Sequence, residues 1–248
     1  GPRRPWLLRG GLSLAVAFHK VPEDQAKAPT GRIELPASGT AEEILARAEA
    51  AALGEGPAEG RVRELLAPFA DQLVPGALDG YAPPVSDGSP RNRANMRVAA
   101  RELAEADWEV RDGKLLNAGG QPFAFTILLT GSQNEAVSGV FVEALRQLGI
   151  EARVQIVDAS QYNERRGTYD YDMIVNAWNM SLSPGNEQYL YWGSDGVTKR
   201  GTRNYAGIAS PAAEAMIAEL LATRDEAEFV AAARALDRVL TTGRYVIP

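Results

Sequence analysis

Four carboxylates stand close together in the second half of the chain: Asp170, Asp172, Glu187 and Asp195. Two such groups facing each other about 5–10 Å apart would suffice for glycoside hydrolysis. Their spacing selects no pair, however, and an acid beside a strand is commonly just solvated. The other reactive residue types are scarce. There is no cysteine, which excludes thiolate metal sites, iron–sulfur clusters, disulfides and cysteine nucleophiles. His19 is the one histidine, so a Ser-His-Asp triad or a multi-histidine metal site would depend on it alone. Beside Phe18 it reads as a packed or hydrogen-bonded side chain. No G-x-S-x-G elbow, P-loop or G-x-G-x-x-G follows a strand, and Gly10-Gly11 and Gly119-Gly120 read as turns. No catalytic residue, metal ligand or cofactor is expected.

Binding is better provided for. Eight aromatics lie between Tyr162 and Tyr205, and all are Tyr or Trp: Tyr162, Tyr169, Tyr171, Trp178, Tyr189, Tyr191, Trp192 and Tyr205. Side chains with an apolar face and a polar tip suit a wet binding surface, and they pack a peripheral core equally well. Asn179-Met-Ser-Leu-Ser-Pro-Gly-Asn-Glu187 follows the Trp178 strand, and ligands of open α/β sheets sit beyond the carboxyl ends of strands. Arg165-Arg166 could meet an anion, although an exposed helix end accounts for them as well.

The elements that position these residues are sharply marked from Arg91 onward. An amphipathic helix is expected over 92–106, with Met96, Ala99, Ala100 and Leu103 on one face. Trp108 to Leu116 reads as a hairpin turning at Asp112-Gly113. Phe123 to Leu129 reads as a buried strand. Ser132-Gln-Asn-Glu135 has capping-box form, and the helix after it carries a stripe of Val137, Val140, Phe141, Ala144, Leu145 and Leu148. Gly149 is placed to end that helix, and Ala152 to Val157 alternates as a strand, completing a βαβ unit. Asp158-x-x-Gln161 caps a short helix to about Arg166, and Tyr171 to Trp178 is a further strand. Ser210-Pro211 opens a helix with Ala213, Met216, Ile217, Leu220 and Leu221 inward. Thr223-Arg-Asp-Glu226 opens the last, with Phe229, Ala233, Leu236 and Leu240 inward. The fold class is α/β, a mixed sheet covered by helices.

Residues 21–92 are rich in Pro, Gly and Ala, with helices expected from Thr40 to about Leu53 and from Val62 to Leu73, then a loop over 81–90. Arg3-Arg4 before the apolar run Leu12 to Phe18 has the look of a leader, but Arg9-Gly10-Gly11 interrupts it. A short helix with Leu12, Val16 and His19 on one face is expected instead. No run reaches the ~18 apolar residues of a membrane span. With 248 residues, 45% apolar and 23% charged, the chain can bury a substantial core. A net charge of −6 argues against general nucleic-acid binding.

The order of these short motifs is similar to a known family. Glu-Leu-Ala-Glu-Ala-Asp-Trp108, Phe-Thr-Ile-Leu-Leu129 and Leu-Arg-Gln-Leu-Gly-Ile150 are followed by Tyr169-Asp-Tyr-Asp-Met173, Trp178, Asn204-Tyr-Ala-Gly207 and Tyr-Val-Ile-Pro248. This resembles the family 5 extracellular solute-binding proteins, receptors of ABC importers. Glu34-Leu-Pro-Ala-Ser-Gly39, Ser181-Leu-Ser-Pro-Gly-Asn-Glu-Gln188 and Arg203-Asn-Tyr-Ala-Gly207 resemble its YejA-type oligopeptide (microcin C) branch.

The resemblance implies a class II periplasmic-binding-protein lobe. The whole of 1–248 would be one C-terminal ligand-binding lobe, with 21–92 a helical subregion and 93–248 the α/β core, and the N-terminal lobe absent. It implies a periplasmic, monomeric receptor that binds peptides or peptide-like solutes, delivers them to ABC permease subunits and catalyses nothing. A lone lobe would bind weakly or not at all. Typical peptide receptors of the family place an Asp three residues after the strand's Trp, against the peptide amine; here that position is Ser181. The implied site is Trp178, Asn179, Ser181, Asn186, Glu187 and Tyr205, with Glu187 a candidate substitute for the missing acid and amine-blocked peptides a candidate ligand. An oligosaccharide receptor of the same fold and a carboxylate-dependent α/β hydrolase are the alternatives.

Overall fold

The computed structural model of the chain describes residues 16–17, 56–82, 84–85, 92–177, 184–197 and 199–247. Its contacts fall into two compact units, Gly1–Ala17 with Pro83–Asn176, and Phe18–Ala82 with Ala177–Pro248. The chain changes unit after Ala17, after Ala82 and again after Asn176.

The first unit is the sheet-bearing one. Strands β1 (Val16–Ala17), β4 (Ala124–Thr130), β5 (Glu151–Val157) and β6 (Met173–Asn176) form a four-stranded sheet in the order β1-β6-β4-β5, every pairing parallel. Antiparallel pairing is confined to a separate hairpin of β2 (Glu109–Arg111) and β3 (Lys114–Leu116). Asp112 and Gly113 turn it with φ of 51° and 76°, the two positive values that a tight hairpin turn requires. Helix α2 (Arg93–Glu105) precedes the hairpin, and α3 (Glu135–Arg146) is the crossover from β4 to β5. Helix α4 (Ala159–Gly167) crosses from β5 to β6, its N-terminus capped by Asp158, whose Oδ1 accepts from the Gln161 amide at 2.9 Å.

Ile127, Leu128 and Leu129 of β4, with Met173 and Ile174 of β6, are buried at the centre of the sheet. A smaller core of Leu103, Leu115, Leu145, Ile150 and Ala152 joins helix, hairpin and strand. Gly149 makes that junction possible. Its φ is +78°, and a Cβ there would lie 2.8 Å from the Leu115 nitrogen, while the Leu115 amide donates to the Gly149 carbonyl at 2.8 Å.

Four expectations change in this unit. Val16–Ala17 is a strand, paired with Val175–Asn176, rather than part of a helix; a short apolar run carries too few turns for its periodicity to separate the two. The capping box at Ser132 is not formed. Gly131 and Ser132 turn the chain out of β4, the Glu135 amide donates to the Ser132 carbonyl, and the helix starts after Asn134. Within the α3 stripe, Leu145 is buried, but Val137 and Val140 are 49% and 74% exposed. β6 is also shorter than the expected Tyr171 to Trp178. The helix expected over 40–53 lies outside the described residues, as do the neighbours of Val16–Ala17 and most of the loop at 81–90.

The second unit is helical. Helix α1 (Gly60–Leu66) tightens into a 3-10 segment, Ala67–Gln72, at Pro68. Helices α6 (Pro211–Ala222) and α7 (Glu226–Thr242) pack on each other and on α1. Their core is Leu66, Met216, Ile217, Leu236 and Val239, interleaved with Ala212, Ala213 and Ala235, small side chains that let helices approach closely. Ser210 caps α6 as expected, its Oγ accepting from the Ala213 amide. The last helix starts later than its Thr223 box implies: Asp225 is the cap, accepting from the Glu228 amide, while Thr223 accepts from the Asp225 amide. Two competent cap residues stand two apart, and the one nearer the apolar stripe takes the helix end.

Long-range ties explain why residues 56–82 belong with the C-terminal helices. Arg238 donates to the Gly56 carbonyl at 2.6 Å and to the Ala77 carbonyl at 3.2 Å. Arg61 of α1 meets Glu228 of α7 at 2.7 Å and Glu219 of α6 at 3.4 Å. Among the described residues, no helix is long and apolar enough to cross a membrane.

Candidate binding loop at the start of helix α5

The candidate site belongs to the second unit. Trp178, Asn179 and Ser181 lie outside the described residues. Asn186 and Glu187 begin helix α5 (Glu187–Trp192), which continues through Gly193 into a 3-10 turn, Ser194–Val197. Tyr205 sits in the turn Asn204–Gly207, closed by the Gly207 amide on the Asn204 carbonyl.

The loop ahead of α5 is held from behind by a chain of side-chain hydrogen bonds. Trp192 is buried and donates from Nε1 to Gln188 Oε1 at 3.0 Å. Gln188, also buried, donates from Nε2 to Glu187 Oε1 at 3.3 Å. The same Glu187 oxygen accepts the Gly185 amide at 2.9 Å. Glu187 is thus fastened to its own loop, and Gly185 leaves room for the carboxylate: a Cβ there would stand 3.0 Å from Glu187 Oε2. One oxygen of Glu187 is engaged in ordering residues 185–188.

The far end of α5 is fixed by Asn204, which is fully buried. Its Nδ2 donates to the Gly193 carbonyl at 2.9 Å and to the Ile208 carbonyl at 2.7 Å, and its Oδ1 accepts the Ile208 amide at 2.9 Å. Three bonds from one buried amide satisfy backbone groups that could not reach water. Close packing around it requires glycine at two places. A Cβ on Gly196 would lie 2.5 Å from the Asn204 Cβ, and one on Gly193 2.5 Å from the Tyr189 carbonyl oxygen. Six residues of helix rise about 9 Å, so α5 is a short strut with Glu187 at one end and the Tyr205 turn tied to the other.

The aromatic cluster divides. Tyr162, Tyr191 and Trp192 are core residues; Tyr162 donates its hydroxyl to the Val175 carbonyl at 3.0 Å. Tyr205, Tyr169 and Tyr171 are half-buried. Tyr189 is 40% exposed and walls a concavity of about 690 Å³ with Phe69, Ala209 and Pro211. Glu214 lies at its rim, accepting from the Ser194 amide and hydroxyl. Packing therefore accounts for part of the cluster, and a solvent-facing role remains for Tyr189.

Two of the other carboxylates, Asp172 and Asp170, have structural partners. Asp172 Oδ2 accepts the Thr126 amide at 2.9 Å. Asp170 lies 3.3 Å from Arg165, which also donates to the Asp170 carbonyl and to Gln155. Arg166 lies over the Tyr162 ring. Asp170 and Asp172 belong to the first unit, Glu187 and Asp195 to the second. Among the described residues, no group of three or more His, Asp or Glu is arranged to hold a metal. Gln188 and Asn204 were not marked by the sequence pattern. The signals that point to them are local: Gln188 stands four residues before Trp192, and Asn204 opens a turn ending in glycine.

The family profile of bacterial extracellular solute-binding proteins, family 5, middle region, matches residues 62–199, more than half of the chain. The chain belongs to this family. It is 38% identical over 191 residues to the probable peptide-binding protein YejA of Agrobacterium fabrum, and 36% identical over 192 residues to the peptidoglycan-binding protein YepA of the same organism. These alignments take in 76% and 77% of this chain and 31% of each relative, so the chain spans about a third of their length. The oligopeptide-binding protein AppA of Bacillus subtilis, solved with a nonapeptide, superposes with a TM-score of 0.56 at 22% identity, over 79% of this chain and 40% of that one. That likeness establishes the periplasmic-binding-protein fold expected from the sequence.

Proposed function

We propose that this chain is the C-terminal lobe of the substrate-binding component of an ABC importer, and that it takes peptides or peptide-like solutes outside the cytoplasm. The observation that carries the reading is the family match together with identity above 35% to two relatives named for peptide and peptidoglycan binding. Extracytoplasmic placement and a binding rather than catalytic role agree with that family, and the partner is the importer's membrane permease.

The ligand-facing segment is residues 178–187, with Trp178, Asn179, Ser181, Asn186 and Glu187, joined by Tyr205. Ser181 cannot neutralise an amine, so the preferred ligand has its amino terminus blocked, as in a peptide still linked to a sugar. The peptidoglycan-binding name of one relative supports that class. Glu187, which the buried Trp192–Gln188 pair holds in place, both orders the loop and supplies its negative charge. The test is native mass spectrometry of the full-length receptor isolated with its cargo. A bound mass that fragments as an amine-blocked peptide is the expected result, and a bare oligosaccharide or a free-amine peptide would overturn the reading.

A further inference from the structure

The chain carries a net charge of −6, yet one groove of its first unit is cationic. Helix α2 sets Arg93 and Arg97 four residues apart, hence on one face, with Met96 beside them. Glu143, Arg146 and Gln147, at the end of α3, form the other wall of a groove of about 580 Å³. Arg146 donates from Nε and Nη2 to the two oxygens of Glu143 at 2.9 and 2.6 Å. That pair is internally neutral and fixes the plane of one guanidinium. The side chains of Arg93 and Arg97 form no hydrogen bond or ion pair with any described residue, so two positive charges are left uncompensated. Like charges four apart weaken a helix, and among the described residues no carboxylate pairs with either.

We propose that this groove docks an acidic segment of a partner protein, one presenting two carboxylates that flank an apolar side chain. Guanidinium forks match carboxylates in a bidentate way that an ammonium cannot. Met96 is half-buried between them, and a flexible thioether adapts to varied apolar side chains. An anionic membrane is the poorer match. A chain of net −6 is repelled by a negatively charged bilayer. This docking is independent of the loop at residues 178–187, which lies in the other unit.

The test uses the 248-residue chain and a fluorescein-labelled peptide, acetyl-Asp-Glu-Leu-Glu-Asp-amide, titrated by anisotropy at low salt. Saturable binding is expected, weakened at least tenfold by Arg93→Glu with Arg97→Glu, and by a peptide carrying Asn and Gln in place of its acids. Arg224→Glu, an exposed control in the second unit, should change it less than twofold. Circular dichroism of each variant confirms that the fold is retained. Absence of saturable binding, or an equal loss in the Arg224 variant, overturns the proposal. So does sedimentation with phosphatidylglycerol vesicles that the double reversal abolishes while the peptide stays unbound, which would make the groove a lipid contact.

Discussion

In the sheet-bearing unit, β4 and β5 are joined along seven consecutive register pairs, and the side chains of Ile127, Leu128 and Leu129 simply fill the centre. In the helical unit the elements around the candidate site are short, and side chains hold them. Asn204 ties Gly193 to Ile208, the Trp192–Gln188–Glu187 series ties a core indole to a loop, and Arg238 reaches carbonyls 161 and 182 residues away in sequence. The first unit is ordered by repeating backbone geometry; the second has an apolar helix core, but around the candidate site it is joined by a few buried polar side chains. A site on the second can therefore be tuned, or lost, by single substitutions.

That contrast can be broken most forcefully at Asn204. Asn204→Ala removes three hydrogen bonds and strands the Gly193 and Ile208 backbone groups, at an expected cost of about 4 kcal/mol. Hydrogen exchange should show faster exchange throughout α5 and α6, with the β4 amides unchanged. If the β4 amides lose protection equally, the two units do not differ as described. Leu128→Ala is the reciprocal change. It should cost about 3 kcal/mol by cavity formation in the sheet and leave α6 and α7 protected.

The helix caps provide a control in which the units should behave alike. Asp158→Ala and Asp225→Ala each remove one accepted amide and should cost about 1 kcal/mol, read from denaturant titrations of each variant. A large difference between them would mean that cap energy depends on the unit. The smallest effect is electrostatic. Lys114 donates to Glu151 at 2.7 Å, and this holds the Glu151 carboxyl below its ordinary value near 4.5. The pair therefore contributes fully above that ordinary value, and its contribution disappears as pH falls through the lowered one. NMR titration of the Glu151 carboxyl should shift upward in Lys114→Met.

What the sequence reveals follows the same division. The hairpin, the βαβ unit and the α6 stripe were legible because a turn pair at Asp112-Gly113 and repeating apolar positions encode them locally. Helix starts at Ser132 and Thr223 were misplaced because several cap-competent residues stand close together and only tertiary packing chooses among them. Val137 and Val140 carry the same periodic signal as Leu145, although the structure leaves them exposed. The ties of Arg61 and Arg238 were not legible, since they act across more than 150 residues. At the candidate site, Asn186, Glu187 and Tyr205 were singled out through the family resemblance, whereas Gln188 and Asn204, which hydrogen-bond beside them, lack any periodic signature. Buried polar supports are specified by their partners, and those partners are visible only in the folded chain.

We propose that the segment with serine at position 181 and Glu187 at its end receives a peptide whose amine is blocked. Calorimetry on the full-length receptor with tri-alanine and N-acetyl-tri-alanine tests it directly. The acetylated peptide should bind at least as tightly as the free one, and Glu187→Ala should weaken both. An indispensable free amine, together with a harmless Glu187→Ala, would contradict the account.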